Sequence, residues 1–264
     1  MTYDWEQTLN ITPWTREWFA EIDRRFLESA WFARRTDGAP FGRFLKPETL
    51  AGKKVLEIGC GMGTHASLIA KAGAQLTAID LTEFAVSTTR KRFELLGLQG
   101  RIMRADAEKL PFENGEFDVV WSWGVIHHSN CMEDCLRQIT RVLRPGGRLA
   151  FMVYYRPSLV YYLHCGFIRG ILMGRLRKET LREIYEDSSD GFFARVLNRR
   201  ELDALLDGDY ERISMDVVGV KGELFPIPRT RFKEKLEHLT PHWLAAAILG
   251  RWGSMIIIEA VRKS

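Results

Sequence analysis

Residues 54–64, KVLEIGCGMGT, join a short apolar run to a cluster of glycines. The apolar run consists of Val55, Leu56 and Ile58. Such a run of aliphatic and β-branched side chains predicts a buried strand. The glycines that follow are Gly59, Gly61 and Gly63. Glycine permits a sharp turn and lets a ligand lie against the backbone without interference from a Cβ atom.

A helix is expected directly after the glycines. Thr64 is predicted as its N-cap, and Ala66, Ile69 and Ala70 give it an apolar face at helical spacing. The free amides at its start would favour an anionic group. A structural turn or a dinucleotide site could use the same glycines. However, the dinucleotide fingerprint is G-x-G-x-x-G, whereas this chain has G-x-G-x-G, with Glu57 two residues before it.

The pattern E-x-G-x-G-x-G at residues 57–63 resembles motif I of the class I S-adenosylmethionine-dependent methyltransferases. The resemblance implies S-adenosyl-L-methionine as cofactor and S-adenosyl-L-homocysteine as product. This cofactor has no pyrophosphate; it carries a carboxylate, a positively charged amino group and a sulfonium. An acidic residue such as Glu57 therefore suits it chemically.

A second strand, residues 75–80, ends in Asp80, which lies 17 positions after Gly63. A carboxylate at this place can accept hydrogen bonds from both ribose hydroxyls of an adenosine, in nicotinamide and adenosylmethionine sites alike. The alternative is an N-cap role for Asp80 in the helix predicted over residues 82–96. The glycine motif upstream favours the ribose role.

The third strand begins at Arg101 and leads into a loop with Asp106 and Glu108. In the resembling family, an aspartate followed by a small residue, here Ala107, bonds the adenine amino group at this place. The sequence AEKLPFENGEFDVV is also typical of that family. A turn-forming role, in which Asp106 bonds its own backbone, is the alternative.

The fourth strand, residues 117–122, precedes Trp123 and the histidine pair His127 and His128. This segment resembles small-molecule methyltransferases related to quinone-biosynthesis enzymes. The Asn- or Asp-Pro-Pro-aromatic motif, common in enzymes that methylate nucleic acids or protein amides, is absent from this position. We therefore expect a small, apolar or aromatic acceptor, and no nucleic acid.

Either histidine could act as a general base, since an unperturbed imidazole titrates near neutral pH. Either could instead have only a structural role. The two histidines also form a loose metal-like cluster with Cys131 and Cys135, but cysteines four positions apart on a helix can simply be buried. We predict no metal.

The resemblance thus assigns His127 and His128 to catalysis. It assigns cofactor binding to Glu57, Gly59, Gly61, Gly63, Thr64, Asp80, Leu81, Asp106, Ala107, Glu108 and Trp123.

The alternation of strands and helices predicts an α/β fold with a doubly wound, Rossmann-like, mostly parallel sheet. The resemblance implies seven strands, the last antiparallel, with helices on both faces. Further elements are predicted as a helix over 132–143, a turn at 144–147, a strand over 148–153, a loop at 190–193, a helix over 200–206, a strand over 210–218, an extended loop over 221–228 and a strand over 253–261. The predicted parts are an N-terminal helical lid (1–50), a cofactor-binding core (51–153), a cap insertion (154–200) and the remaining core (201–264).

Two parts have alternative interpretations. Residues 1–50 are rich in aromatics at helical spacing, from Trp5 to Phe44, which fits either packing helices or a lid over the cofactor. Residues 154–182 are aromatic and basic. They fit either a solvated insertion or a cap over an apolar acceptor, whose basic edge would meet an anionic head group or a membrane surface.

Composition adds weaker constraints. Lys and Arg exceed Asp and Glu by 38 to 34, and the excess is scattered. Four cysteines without a C-x-x-C pair, and no signal peptide, suggest a reduced, cytoplasmic protein. No apolar stretch reaches membrane-spanning length. A nicotinamide oxidoreductase and a non-catalytic cofactor-binding protein remain the alternative functions.

Overall fold

The computed structural model describes residues 10–188, 193–228 and 230–264, without the side chains of residues 212 and 213. Trp5 and most of the loop predicted at 190–193 therefore lie outside the described residues.

The described chain is built on one sheet. Its strands are β1 (Lys54–Ile58), β2 (Gln75–Asp80), β3 (Arg101–Arg104), β4 (Phe117–Trp123), β5 (Leu143–Tyr155), β6 (Val196–Leu197), β7 (Tyr210–Val218) and β8 (Met255–Arg262). The strand order is β3-β2-β1-β4-β5-β8-β7, and β6 pairs with β5 off this path.

The α-helices described are α1 (Arg16–Ser29), α2 (Thr64–Lys71), α3 (Glu83–Leu96), α4 (Met132–Val142), α5 (Leu181–Ser188), α6 (Arg199–Leu206), α7 (Arg231–Leu239) and α8 (His242–Trp252). A π-helix, which we call the cap helix, spans Val160–Leu172. Short 3₁₀ turns occur at Trp31–Ala33, Pro47–Thr49, Ile126–His128, Arg175–Arg177 and Lys221–Leu224.

The predicted α/β sheet is confirmed. Strands β1 to β5 run parallel, and β8 is antiparallel to both β5 and β7. The two-residue β6 is an addition to the seven expected strands. Tyr154 of β5 pairs with Met255 of β8 and also with Val196 of β6. Because a strand has two edges, β6 takes up the edge of β5 on the side of β4.

Helices cover both faces of the sheet. Successive side chains of β1 point to opposite faces, and apolar side chains occur on both. Val55 packs in one core cluster with Ile69 of α2 and other residues of that face. Its neighbour Leu56 packs in the other cluster, together with Ile139 of α4. Glu57 has the same parity as Val55, so its side chain lies on the face covered by α2 and α3.

Two local predictions were wrong. The turn predicted at 144–147 is part of β5, which begins at Leu143 directly after α4 and has a register shift opposite Phe117 and Val119. The loop predicted over 221–228 contains the 3₁₀ turn Lys221–Leu224. Helices α7 and α8 had not been predicted at all.

Helix α1 lies against the glycine turn. Trp18, Phe19 and Ile22 form a small buried cluster with Met62, which is part of that turn. Next to this cluster, Trp14 Nε1 donates to Thr88 Oγ1 of α3 at 3.3 Å. The N-terminal segment therefore packs beside the end of β1.

Candidate functional site

The glycine turn is fastened to the neighbouring strand. The amides of Gly59 and Cys60 both donate to the carbonyl of Ile79, at 2.8 and 3.0 Å. Gly59, Gly61 and Gly63 all have positive φ angles, which L side chains rarely adopt.

The glycines of the turn differ in what surrounds them. A Cβ atom on Gly59 would lie 2.1 Å from Val125 Cγ2, so this glycine is required by packing. A Cβ atom on Gly61 would meet nothing within 4 Å. The space in front of Gly61 is therefore open to a ligand.

Glu57 lies directly before the turn and is 1% exposed. Its Oε2 has no hydrogen-bond partner. Burial, followed by the charge of Asp80, raises the pKa of Glu57 well above its usual value, and the charge of Arg92 opposes this. A buried carboxyl whose oxygen has no hydrogen-bond partner destabilises the folded state unless a ligand supplies that partner. Glu57 is thus suited to meet a cationic group.

Asp80, at the end of β2, holds the glycine turn and the start of α3 together. Its Oδ2 accepts from the amide of Gly61 at 3.1 Å. Its Oδ1 accepts from the amide and the hydroxyl of Thr82, both at 2.9 Å. The N-cap of α3 is Thr82, which bonds the amide of Ala85. The alternative of Asp80 as N-cap is therefore wrong.

Thr64 is also not an N-cap. The N-cap of α2 is Gly63, and Thr64 is the first helical residue. The Thr64 hydroxyl instead donates to Asp23 Oδ1 of α1 at 2.8 Å. Buried Arg92 of α3 donates to the carbonyl of Met62 at 2.8 Å and also bonds Asp23. Arg92 and Asp23, which the sequence analysis missed, thus join α1 to the turn; no local pattern marks them.

Asp106 and Glu108 follow β3. Asp106 Oδ1 accepts from the amide of Glu108 at 2.9 Å, which is the turn-forming role considered above. Asp106 is exposed, and a ligand could still approach it. Glu108 Oε1 accepts from the Ser129 hydroxyl at 2.6 Å and the Cys131 amide at 3.1 Å. The Ser129 bond, followed by the Cys131 amide, lowers the pKa of Glu108.

Leu81 is exposed directly after Asp80, and half-buried Ala107 packs against the core between Asp106 and Glu108. The carboxyl ends of parallel strands β1, β2 and β3 therefore bring the predicted acidic residues and the glycine turn to one edge of the sheet, where such folds bind ligands.

Half-buried Trp123 ends β4 within an aromatic cluster. Its ring stacks on Trp121 at a centroid distance of 5.7 Å and meets Phe41 edge-on at 4.8 Å. His65 of α2 lies 5.5 Å from Trp123 in the same cluster, and its Nε2 has no partner. Burial, with the charge of Arg92, lowers the pKa of His65 to about 3. Trp123 thus connects the end of β4 to residues that precede β1.

His127 and His128 lie in the 3₁₀ turn after β4. His127 is fully buried, and neither ring nitrogen has a hydrogen-bond partner in the described part of the chain. Burial, followed by the charge of His128, lowers the pKa of His127 well below its usual value. His127 is therefore neutral.

His128 is half-buried, and its Nδ1 lies 3.0 Å from the carbonyl oxygen of Phe193. A carbonyl only accepts, so Nδ1 carries the proton and Nε2 the lone pair in the neutral ring. Tyr154 packs against both histidines, with centroids 4.2 Å from His127 and 5.7 Å from His128. Tyr185 of α5 lies 6.2 Å from Tyr154. The end of β5 and the segment at Phe193 therefore pack against the histidine pair.

A metal site does not form from these residues. Cys131 precedes α4, and Cys135 is buried within it. Within residues 10–188, 193–228 and 230–264, no three His, Cys, Asp or Glu side chains are grouped to hold a metal ion. None of the described helices is long and apolar enough to cross a membrane.

Comparison with known proteins identifies the central part of the chain. Residues 56–151 match the family model described as a methyltransferase domain. The phthiotriol/phenolphthiotriol dimycocerosates methyltransferase of Mycobacterium leprae is 33% identical over 176 residues, which are 66% of this chain and 63% of the relative. The 27-O-demethylrifamycin SV methyltransferase of Amycolatopsis mediterranei is 40% identical over 103 residues, 38% of each chain. The chain thus spans less than two thirds of these relatives.

Solved structures share the fold. A methyltransferase from Mesorhizobium loti described as S-adenosylmethionine dependent matches with a TM-score of 0.57 at 17% identity, covering 86% of this chain and 99% of its own. The PH0226 protein of Pyrococcus horikoshii matches over 100% of both chains with a TM-score of 0.59 at 16% identity. The domain match, the relatives and this shared fold agree with the glycine turn and the acids around it: residues 56–151 form a methyltransferase domain, and the chain is similar to S-adenosylmethionine-dependent methyltransferases.

Proposed function

We propose that this protein transfers a methyl group from S-adenosyl-L-methionine to a small, lipophilic or aromatic acceptor. The observation that carries the proposal is Glu57, a buried carboxyl with an unpaired oxygen beside a glycine turn. An isolated buried carboxyl is destabilising in a protein without a cationic ligand. The amino group of this cofactor is such a ligand.

The residues present fit the cofactor. Glu57 would meet its amino group, and the open space at Gly61 would admit it against the backbone. Asp80 would bind the ribose hydroxyls, and Asp106 the adenine amino group. When bound, the cofactor supplies a methyl group on a sulfonium, which is already a good leaving group. The protein therefore has mainly to align the acceptor and exclude water.

The other predicted cofactor residues would support this arrangement. Leu81 and Ala107 offer apolar surface next to the two aspartates, and Trp123 closes the end of β4. Thr64 and Glu108 are engaged in bonds that hold the surrounding loops. We propose that these residues shape the cofactor site.

The acceptor would lie by the histidine pair, under the insertion after β5. The side chains there include the aromatic residues Tyr154, Tyr161 and Tyr185. Two relatives are named as methyltransferases of a dimycocerosate lipid and of a rifamycin. Both names fit an acceptor that an aromatic pocket would bind. We therefore place the acceptor among lipid-like or polyketide-like molecules.

If the acceptor must lose a proton, His128 is the better base of the pair. Its Nδ1 is fixed on the Phe193 carbonyl, which leaves the lone pair on Nε2. His127 is fully buried and neutral, so it could act as a base on the acceptor only if the residues that cover it moved. In this proposal His127 positions His128, whose ring centroid lies 4.1 Å away.

The test has two stages. Calorimetry with S-adenosylhomocysteine and with NAD distinguishes a methyltransferase from a nicotinamide oxidoreductase, and binding of NAD alone would refute the proposal. Turnover assays with radiolabelled S-adenosylmethionine and a panel of phenolic lipids and polyketides follow. Tight cofactor binding without turnover on any acceptor class would indicate a non-catalytic binding protein.

A lipophilic acceptor also suggests where the protein works. We propose that it acts in the cytoplasm, because all four of its cysteines are unpaired. It would meet its acceptor at a membrane surface, without spanning the membrane.

A further inference from the structure

Helix α8 is unusual because its surface is apolar and yet exposed. Of its residues only Ala245 and Leu249 are buried. Trp243 is 72% exposed and Trp252 43%. An apolar helix normally buries such side chains, and a large exposed apolar patch marks an interaction surface.

Helix α7 extends this surface. The exposed large apolar residues of the two helices, which we call the C-terminal apolar surface, are Phe232, Leu239, Trp243, Leu244, Ile248 and Trp252. On α8, three of them recur at every fourth position and so form one row along the helix. The turn between the helices is fixed by Lys221, whose Nζ donates to the carbonyl of Thr240 at 2.6 Å.

The cap helix ends in a second exposed apolar stretch. Its residues Ile171, Leu172 and the adjoining Met173 are all more than 60% exposed. On the same helix, burial, followed by the charge of Lys233 of α7, lowers the pKa of His164.

The charges around the C-terminal apolar surface are mainly positive. Residues 231–252 contain four Lys or Arg and two Glu, and α8 has no acidic residue. Arg231 and Lys235 are exposed and form no salt bridge among the described residues. The guanidinium of Arg251 lies 5.6 Å from the ring centroid of Trp252. Apolar rows flanked by cations match the interface of an anionic bilayer.

From this combination, we propose that the C-terminal apolar surface docks on anionic lipid bilayers. Tryptophan is favoured at the level of lipid head groups, and α8 has one near each end. With 11 residues, the helix would be about 16 Å long, so it lies in the interface and does not cross the bilayer. A second copy of the chain is a poorer partner, because a two-fold interface would bring the same cationic patches together.

Vesicle flotation with the full chain and no cofactor tests the proposal independently of methyl transfer. The protein should float with vesicles of phosphatidylcholine and phosphatidylglycerol, and much less with phosphatidylcholine alone. Raising the salt concentration should weaken the binding. Failure to float with the anionic vesicles would refute the docking surface, whatever the outcome of cofactor calorimetry.

The double variant Trp243→Ser, Trp252→Ser should weaken vesicle binding by about tenfold for each side chain. Both side chains are exposed, and circular dichroism checks that the variant is folded. The matched control is Trp14→Ser, which removes a tryptophan that is 47% exposed elsewhere on the chain; it should float like the parent. Equal losses in both variants would overturn the assignment to α8.

A charge variant tests whether the cationic side chains contribute to vesicle binding. Arg231→Gln with Lys235→Gln should reduce binding to anionic vesicles by roughly fivefold for each charge, and leave the weak binding to phosphatidylcholine unchanged. Analytical ultracentrifugation of the tryptophan variant tests the competing partner. If that variant turned a dimer into a monomer and still floated like the parent, the surface would be a contact between copies of this chain, and the proposal would be wrong.

Discussion

Replacing Glu57 by Gln should have opposite effects on stability and on cofactor binding. Glutamine has nearly the same shape, so the packing around this 1% exposed side chain is kept and only its acidity is lost. The raised pKa of Glu57 means that the folded protein keeps a proton which the unfolded chain releases above the ordinary value of 4.5. The stability of the ligand-free parent should therefore fall as pH rises from 4.5 towards the folded pKa.

The size of this effect follows from proton linkage. Over that pH range the free energy of unfolding of the parent loses up to about 1.4 kcal/mol per pH unit relative to Glu57→Gln. Below pH 4.5 both states hold the proton, and the two proteins should have similar stability. Urea unfolding of both proteins at several pH values measures the difference. Parallel pH profiles would show that Glu57 is not held protonated.

Cofactor binding should change in the other direction. An amide cannot replace a charged acceptor for the amino group, and loss of such a bond costs about 1.5 to 3 kcal/mol, or roughly tenfold to 150-fold in affinity. Calorimetry with S-adenosylhomocysteine measures this loss. Unchanged affinity in a folded Glu57→Gln protein would remove Glu57 from the cofactor site.

Glu259 provides the matched control for these measurements. It is also buried, at 4% exposure, but it bonds Lys46 at 2.7 Å and Arg148 at 3.1 Å. Glu259→Gln should therefore lower stability at neutral pH and leave the affinity for S-adenosylhomocysteine unchanged. If both glutamine variants were stabilised alike, the gain would reflect loss of charge in general.

Four further predictions concern the same edge of the sheet. Gly61→Val should abolish S-adenosylhomocysteine binding in calorimetry and keep the fold by circular dichroism, since its Cβ would point into open space; normal affinity would contradict the ligand role. Asp80→Ala should lower both affinity, by about tenfold or more, and the melting temperature, because its carboxylate also fastens the turn. Asp106→Ala should weaken binding of the adenosine ligand more than that of an inosine analogue, and equal losses would exclude adenine recognition. His128→Ala should reduce turnover by about two to four orders of magnitude with little change in cofactor affinity, whereas His127→Ala should lower stability and reduce turnover less; parental turnover in both would exclude catalysis by either.

Local sequence signals predicted the sheet well and the helical additions poorly. Strands β2 and β7 match their predicted bounds, since each is a short β-rich segment between polar or glycine-containing turns. Helix α8 gave no amphipathic signal, because HWLAAAILGRW is apolar around most of its circumference. The short strand β6 depends on pairing with Tyr154 and Tyr155 about 40 residues earlier. Pairing over such a distance leaves no local pattern.

The same distinction applies to the site. The glycines and Asp80 belong to one motif with fixed spacing, so their proximity could be predicted. Asp23 and Arg92, which bond each other and the turn, lie 69 positions apart in the sequence, and no periodicity indicates their contacts. The N-cap of α2 was misassigned because glycine at positive φ, and not the threonine after it, precedes the helix.

The two halves of the site depend on different parts of the chain. The residues assigned to the cofactor, from Glu57 to Trp123, all lie within the domain match at residues 56–151. The partners of the histidine pair lie beyond it: Tyr154 packs on both rings, and the carbonyl of Phe193 contacts His128. A change in the segment after residue 151 can therefore remodel the proposed acceptor side and leave the glycine turn and its acids in place. Relatives with a common cofactor motif can consequently differ in acceptor, and selectivity in this protein is expected to reside in its cap.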